Sequence, residues 1–196
     1  SDWYSMDAAY RHMCTAYLRA RSVECDVLEE PTRAVADWAE NLYSNWFLAD
    51  ANACWAAAAQ GEWTDCGYID GPARQDEFYW HVLPTYVGPA KTTVVIVSDA
   101  LRYEVACDVA ALLERERGGN VKVSSMQAVF PSITEAGMPA LLPHQALELA
   151  ADGSFVLADG MPTATTPQRE AVLAHVEPTA RALRSSTYLN MTGTED

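Results

Sequence analysis

An acidic residue directly after a run of β-branched residues is the first place in this sequence where chemistry can be expected. The apolar run at 94–97 is followed by Ser98 and Asp99, and a helical pattern begins a few residues later. In open α/β sheets, ligands bind in the crevice beyond the carboxyl ends of the strands. Asp99 could therefore ligate a divalent metal there, or it could cap the helix that follows it.

A second strand-to-helix junction lies further along the chain and carries a hydroxyl side chain. An alternating apolar segment ends at Phe130, Pro131 favours an extended turn, and a helical pattern opens at Thr134. The Thr134 hydroxyl would lie beside free backbone N–H groups, which favour phosphate or a developing oxyanion. Thr134 is thus a candidate nucleophile, and its alternative role is that of an N-cap residue. We expect Asp99 and Thr134 to lie at adjacent strand ends, close enough to share a metal or a phosphate.

Other side chains near the two junctions could assist these residues. Arg102 could bind an anionic substrate, although a surface ion pair with Glu104 is an equally good interpretation. Ser132 is a rival of Thr134 as nucleophile, but it lies in the turn before the helix, where the helix dipole supports it less. Gly137 would allow a ligand or a neighbouring backbone segment to approach the first helical turn closely.

The elements that must position these residues are predicted from the second half of the sequence. The near-continuous β-branched run at 92–98 is typical of a strand that is covered on both faces of a parallel sheet. Periodicity predicts further strands over 121–129 and 154–157, and helices over 102–117, 134–142, 145–150 and 166–184. This alternation of strands and helices predicts an α/β fold with right-handed crossovers and a parallel α/β/α sheet.

The first half of the sequence is predicted to be helical. Aromatic and other apolar residues recur at helical spacing over 3–17 and 35–46, which predicts an aromatic core. A turn-rich loop over 61–71, a short helix over 78–82 and a linker over 84–89 follow. We therefore expect a helical region over 1–83 that folds separately from an α/β domain over 91–196.

The composition excludes several classes of protein. The 196 residues are 49% hydrophobic, which is enough for a core, and their net charge is −14. That charge argues against nucleic-acid binding by this chain, because phosphate binding needs clustered Lys and Arg. No apolar run approaches the roughly 20 residues of a membrane helix. The five cysteines lack any Cys-x-x-Cys pair, which favours reduced thiols in a cytoplasmic protein over disulfides or structural zinc.

Common nucleotide and hydrolase motifs are missing from the sequence. There is no Gly-x-x-x-x-Gly-Lys phosphate loop, no Gly-x-Gly-x-x-Gly after the first predicted strand, and no Gly-x-Ser-x-Gly elbow. The four histidines form no ligand-like pair, so we expect them to be surface or packing residues.

Two sequence words carry a family resemblance. VVIVSDALRYEV, from 94 to 105, and PSITEAGMPALLPH, from 131 to 144, resemble in order and separation the PglZ family of the alkaline phosphatase superfamily. The segments over 3–11 and 75–79 resemble the helical region that precedes this domain in long PglZ proteins. The resemblance therefore covers nearly the whole chain, and the two words are its specific part.

The resemblance implies a metal-dependent phosphohydrolase fold, which occurs in bacteriophage-exclusion (BREX) systems and as an effector domain on some response regulators. It implies that Asp99 is the first metal ligand and that Thr134 is a nucleophile that also contacts a metal. The metal would be zinc, with manganese or magnesium as alternatives. The substrate would be a phosphate ester, and other BREX-system proteins would be partners.

The family pattern also needs further Asp and His ligands from later strands, and no such set precedes residue 196. We therefore expect a fragment, made of the helical connector and the first half of the phosphatase-like domain, that is inactive alone. The alternative is a catalytically silent scaffold that keeps the fold and docks other defence-system proteins through its aromatic-rich helices.

Overall fold

The computed structural model describes residues 2–23, 26–88, 92–118 and 120–192. Internal contacts divide the chain into two compact units. The first unit comprises Ser1–Cys66 and Ser98–Ser124, and the second comprises Gly67–Val97 and Ser125–Asp196. The predicted division into 1–83 and 91–196 follows other boundaries and stays a prediction about which part folds independently.

The first unit is helical, as the aromatic spacing predicted. Its elements are α1 (Asp2–Arg21), α2 (Asp26–Asn41), a π-helical segment (Leu42–Leu48), α3 (Ala49–Cys66) and α4 (Tyr103–Arg117). The loop predicted over 61–71 is wrong in its first part, because α3 continues through Gly61 to Cys66. The run of alanines at 56–59 has the highest helix propensity of any residue type and outweighs one glycine.

The aromatic core of the first unit is smaller than predicted. Tyr43 is buried, its ring stacks on Tyr10 with centroids 3.7 Å apart, and its hydroxyl donates a hydrogen bond to Asp7. The prediction is wrong for Trp38 and Trp46, which are 66% and 54% exposed, and Trp55, beyond the predicted range, is 54% exposed as well. These residues do lie on helices, as their spacing predicts. However, the aromatic stripe is wider than the surface that packs against it.

Helix α4 begins and ends close to its predicted bounds. Gly118 follows its last residue in the left-handed conformation, with φ of 61°, which is the usual glycine end of a helix. The imidazole of His12 lies 3.3 Å from the carboxylate of Asp108, and this contact joins α1 to α4. The ring of Tyr4 stacks on Tyr103 with centroids 4.6 Å apart.

The second unit combines short helices with a small antiparallel sheet. Strands β1 (Leu147–Leu149), β2 (Val156–Ala158) and β3 (Met161–Pro162) are hydrogen-bonded in the order β1-β2-β3, with Glu148 opposite Leu157. The helices are α5 (Thr134–Ala140), α6 (Thr166–Val176) and α7 (Ser185–Thr192). Three short helical segments precede them: Gln75–Glu77, Phe78–Val82 and Leu83–Thr85. Among the described helices, none is both long and apolar enough to cross a membrane.

Two predicted helices of this unit need correction. The helix predicted over 145–150 is wrong, because Leu147–Leu149 pairs with β2 as strand β1. A short apolar segment does not by itself distinguish a helix from a strand, and here the pairing partner decides. The helix predicted over 166–184 ends at Val176. Pro178 explains this end, since proline disfavours helical conformation in the residue before it.

The predicted parallel sheet is not formed in the part of the chain that the structure describes. The segments 92–98 and 121–129 have no strand ladder there, and the one isolated parallel bridge joins Arg74 to Gln127. The four side chains at 94–97 are 47–86% exposed. A β-branched run becomes a strand only where neighbouring strands accept and donate its backbone hydrogen bonds, and the described residues offer 94–97 no such ladder.

The core of the second unit lies between its sheet and α6. Leu142, Ala158 and Val172 are buried, and Leu147, Met161 and Leu173 pack against them. Thr163 is 1% exposed; its hydroxyl donates a hydrogen bond to the carbonyl of Val156, and its own carbonyl accepts one from Arg169 Nε at 2.8 Å. Thr163 thereby ties the end of β3 to β2 and to α6.

Thr163→Val is expected to destabilise the chain by about 1–3 kcal/mol, because it leaves the carbonyl of Val156 without its hydroxyl donor while keeping the side-chain shape. Urea denaturation followed by circular dichroism would measure the change. Thr187→Val on the exposed face of α7 is the matched control, and it should change the free energy of unfolding by no more than about 0.5 kcal/mol. Equal effects of the two substitutions would contradict the buried role of Thr163.

Candidate functional site

Thr134 is the first residue of α5, and its side chain is exposed. The capping position is Ile133, which has extended backbone angles (φ −110°, ψ 158°) and makes no side-chain cap hydrogen bond. The carbonyl of Ile133 accepts the N–H groups of Ala136 and Gly137 at 3.1 and 2.8 Å. The alternative role of Thr134 as the N-cap is therefore wrong, since the helix begins one residue too early for it.

Helix α5 is held in place by the side-chain amide of Gln75. Its Nε2 donates a hydrogen bond to the carbonyl of Gly137 at 3.1 Å, and its Oε1 accepts one from the N–H of Val129 at 3.1 Å. A Cβ added at Gly137 would lie 3.2 Å from that Nε2. The close approach predicted at Gly137 is thus made by a side chain from a distant segment.

The segment that carries Gln75 also pairs with the residues before α5 through its backbone. The N–H of Gln75 donates to the carbonyl of Gln127 at 2.9 Å, and the N–H of Gln127 donates to the carbonyl of Ala73 at 2.7 Å. The side chain of Gln127 accepts a hydrogen bond from the N–H of Ile69 at 3.0 Å. The resemblance places 75–79 in the helical connector, and in the structure these residues lie in the same compact unit as Thr134.

Asp99 lies in the first unit, exposed and in a sharp turn. The next residue, Ala100, has φ of 53°, a left-handed conformation that costs a non-glycine residue roughly 1–2 kcal/mol. Backbone strain of this kind concentrates at functional sites. The capping position of α4 is Arg102, which makes no side-chain cap hydrogen bond. Asp99 lies three residues before this position and is therefore not the N-cap residue of α4.

Arg102 forms the ion pair with Glu104 that is the alternative to substrate binding. Its Nη1 lies 3.8 Å from Oε1 of Glu104; the Arg102 side chain is 59% exposed, and that of Glu104 only 7%. The second oxygen of Glu104 is buried without a hydrogen-bond partner among the described residues. The sequence indicated Glu104 only as an ion-pair partner of Arg102, because an acidic residue in the first turn is ordinary at a helix start.

The described residues form no recognisable metal site. Within 2–23, 26–88, 92–118 and 120–192, no group of three or more His, Cys, Asp or Glu side chains could hold a metal ion. The carboxylate of Asp99 and the hydroxyl of Thr134 are oxygen donors that suit a divalent cation, but a zinc site uses about four ligands. The predicted proximity of Asp99 and Thr134, which lie in different units, stays a prediction.

A polar cavity of about 350 Å³ lies in the second unit, and Thr134 is not one of its lining residues. Its lining residues are Arg74, Asp76, Glu77, Trp80, His81, His144 and Gln145. His144 is buried, its Nδ1 lies 2.7 Å from the carbonyl of Leu142, and its own carbonyl accepts a hydrogen bond from Trp80 Nε1 at 3.0 Å. These contacts agree with the predicted packing role of this histidine.

The loop after His144 is held by Asp159, at the turn between β2 and β3. The Asp159 carboxylate accepts backbone hydrogen bonds from Ala146 at 2.8 Å and from Gln145 at 3.0 Å. These N–H groups stabilise the charged carboxylate and lower the pKa of Asp159. The loop that lines the cavity is therefore fixed to the sheet.

Comparison with known proteins assigns the chain to a family. Residues 78–195 match the family model of the BREX system PglZ alkaline phosphatase-like domain. The alkaline phosphatase-like protein BrxZ of Escherichia coli O9:H4 (strain HS) is 33% identical over 196 residues, which cover 98% of this chain and 22% of that protein. The alkaline phosphatase-like protein PglZ of Bacillus cereus (strain H3081.97) is 31% identical over 176 residues, 89% of this chain and 20% of that protein. No solved structure matches significantly.

The chain spans about a fifth of the length of these curated relatives. The family match includes Asp99, Arg102 and Thr134, together with α4, α5 and the whole antiparallel sheet. Membership of this family supports the α/β class. The resemblance carried by the two sequence words is confirmed: this chain belongs to the PglZ family of BREX-system alkaline phosphatase-like domains.

Proposed function

We propose that this chain is part of a longer, metal-dependent phosphoric ester hydrolase of a phage-defence system, with Thr134 as nucleophile and Asp99 as a metal ligand. The observation that carries the proposal is that both residues lie at or just before the start of a helix, exposed to solvent, and neither holds the N-cap position. The N-cap positions belong to Ile133 and Arg102, so the hydroxyl and the carboxylate at these two junctions are not the N-cap residues of α5 and α4. The strained turn after Asp99 supports the same conclusion.

The proposed reaction proceeds by two displacements at phosphorus. Thr134 Oγ loses its proton and attacks phosphorus; a P–O bond to Thr134 forms while the ester P–O bond breaks, and the leaving alcohol gains a proton. Water then attacks the phospho-threonine, releases phosphate or a phosphomonoester, and returns a proton to Thr134. Arg102, whose side chain is exposed, would contact the anionic oxygens of the substrate. A bound zinc ion, or manganese or magnesium, would favour the ionised hydroxyl and offset charge on the phosphate oxygens.

The remaining metal ligands and the parallel sheet would come from the rest of the longer protein. The two ligands proposed here are too few for tight zinc binding. The exposed β-branched side chains at 94–97 support strand formation by this segment once neighbouring strands are present. In that arrangement, Asp99 and Thr134 would lie at the carboxyl ends of adjacent parallel strands.

Hydrolysis of an aryl phosphodiester and an aryl phosphomonoester by the whole protein would test the proposal, with zinc, manganese and magnesium compared. We expect turnover that depends on the metal and is lost on chelation, and we expect the isolated chain to be inactive and to bind metal weakly. Hydrolysis by the whole protein that survives exhaustive chelation, or tight stoichiometric zinc binding by the isolated chain, would contradict the proposal.

A second candidate function is a catalytically silent scaffold that docks other BREX-system proteins. The observation in its favour is the exposure of Trp38, Trp46 and Trp55 in the helical unit, because tryptophan is enriched at protein interfaces. The two functions differ in one result. A scaffold would keep phage protection when Thr134 is replaced by alanine, whereas a hydrolase would lose it.

A further inference from the structure

The side chain of Gln75 joins two stretches of backbone on either side of the turn that leads into α5. The N–H of Val129 lies before the turn, and the carbonyl of Gly137 lies in the helix after Thr134; one amide group contacts both at 3.1 Å. The two contacts fix the orientation of the amide. A flipped group would place its oxygen against a carbonyl and its NH₂ against an N–H, and both contacts would become repulsive.

The geometry points to Gln75 as a positioning residue for Thr134, a role that rests on the proposed function of Thr134 as nucleophile. The carbonyl of Gly137 moves with α5, so the donor from Gln75 Nε2 determines where the first turn of that helix lies. The acceptor contact with Val129 fixes the same amide to the segment before the turn. Thr134 is thereby held from both sides, although Gln75 itself lies outside both family sequence words.

Two further observations support this role. Gly137 provides the room for the contact, because a Cβ there would lie 3.2 Å from Gln75 Nε2, tighter than an ordinary contact. The backbone of Gln75 is fixed as well, since its N–H donates to the carbonyl of Gln127 at 2.9 Å. An amide on a fixed backbone keeps its two hydrogen bonds at a small cost in side-chain entropy.

Gln75→Met and Gln75→Glu in the whole protein would test the inference, with Gln127→Met as the matched control. Methionine keeps the length of glutamine without either hydrogen bond. Glutamate keeps the acceptor for Val129 but places a second oxygen against the carbonyl of Gly137. The side chain of Gln127 also accepts a backbone hydrogen bond, from Ile69, but it has no hydrogen bond to α5. A merely structural role of Gln75 would therefore give Gln75→Met and Gln127→Met the same effects.

We expect kcat for an aryl phosphodiester to fall by about tenfold to a hundredfold in both Gln75 variants, with KM changed less than about twofold, because a displaced nucleophile slows the chemical step. The Gln127→Met protein should keep its kcat. Hydrogen exchange of the peptide that spans 129–141 should be faster in the Gln75 variants and unchanged in Gln127→Met. Wild-type kcat in the Gln75 variants overturns the inference, whether or not exchange becomes faster. A fall in kcat with unchanged exchange also overturns it.

Thr134→Ala in the same assay separates this inference from the proposed function. An active Thr134→Ala protein would refute the nucleophile, and with it any catalytic positioning by Gln75. An inactive Thr134→Ala protein together with fully active Gln75 variants would refute the positioning role alone. An inactive Thr134→Ala protein with slow Gln75 variants and faster exchange at 129–141 supports both.

Discussion

Replacement of Thr134 by alanine in the whole protein is expected to lower phosphoric ester hydrolysis by about 10⁴-fold or more, because removal of a nucleophile eliminates the covalent route. The protein should remain folded. Thr134 is exposed and is not the N-cap residue of α5, so the change in the free energy of unfolding should not exceed about 1.5 kcal/mol, the contribution of one hydrogen bond. Steady-state kinetics and thermal unfolding of the same preparation would measure both quantities.

Two further substitutions sharpen this experiment. Thr134→Ser keeps a hydroxyl at the same position and should retain part of the turnover. Ser132→Ala removes the rival hydroxyl in the turn before α5 and should leave most of the turnover. Loss of activity in Ser132→Ala together with an active Thr134→Ala protein would transfer the role of nucleophile to Ser132.

Replacement of Asp99 by asparagine is expected to weaken metal binding by at least about tenfold to a hundredfold, the range known for residues that only support a ligand. Asparagine has nearly the same size, but it lacks the charge that attracts a divalent cation. Turnover should fall with metal affinity and should recover in part as the metal concentration is raised. Calorimetric titration of the whole protein with zinc and manganese, combined with turnover at each metal concentration, would measure the effect.

The control for this substitution is Asp108→Asn. Asp108 lies in the same unit on α4, where its carboxylate contacts His12 at 3.3 Å on an exposed surface. Its loss should change neither metal affinity nor turnover. Equal loss of metal affinity in both variants would indicate a general effect of negative charge, and Asp99 would then not be a specific ligand.

Local sequence signals predicted the helices on which the candidate residues depend. Apolar spacing and a terminal Gly118 gave α4 within one residue of its observed start, and the pattern after Pro131 placed the start of α5 at Thr134. The exact helix starts also decide which residues are the N-caps, because a shift of one residue changes the N-cap. The N-cap residues are Ile133 and Arg102, and neither isoleucine nor arginine is among the residue types preferred at that position.

Long-range pairing accounts for what the sequence did not predict. Strand β1 exists because Leu147–Leu149 meets β2, and periodicity could not distinguish that segment from a helix. The hydrogen bonds of Gln75 reach partners 54 and 62 residues further along the chain. Tertiary contacts of this kind leave no local pattern, so a glutamine in a connecting segment looked unremarkable. The strand predicted over 92–98 is not formed for the same reason, since a parallel strand depends on hydrogen bonds to segments that are distant in the sequence.

The exposed β-branched side chains at 94–97 also affect how this chain behaves in solution. An unpaired apolar segment of high β-propensity can form intermolecular strands, which lead to aggregation. The net charge of −14 acts against this process, because like-charged copies repel each other. Salt shortens the range of that repulsion but leaves the apolar contact intact. We therefore expect any self-association of the isolated chain to increase with ionic strength.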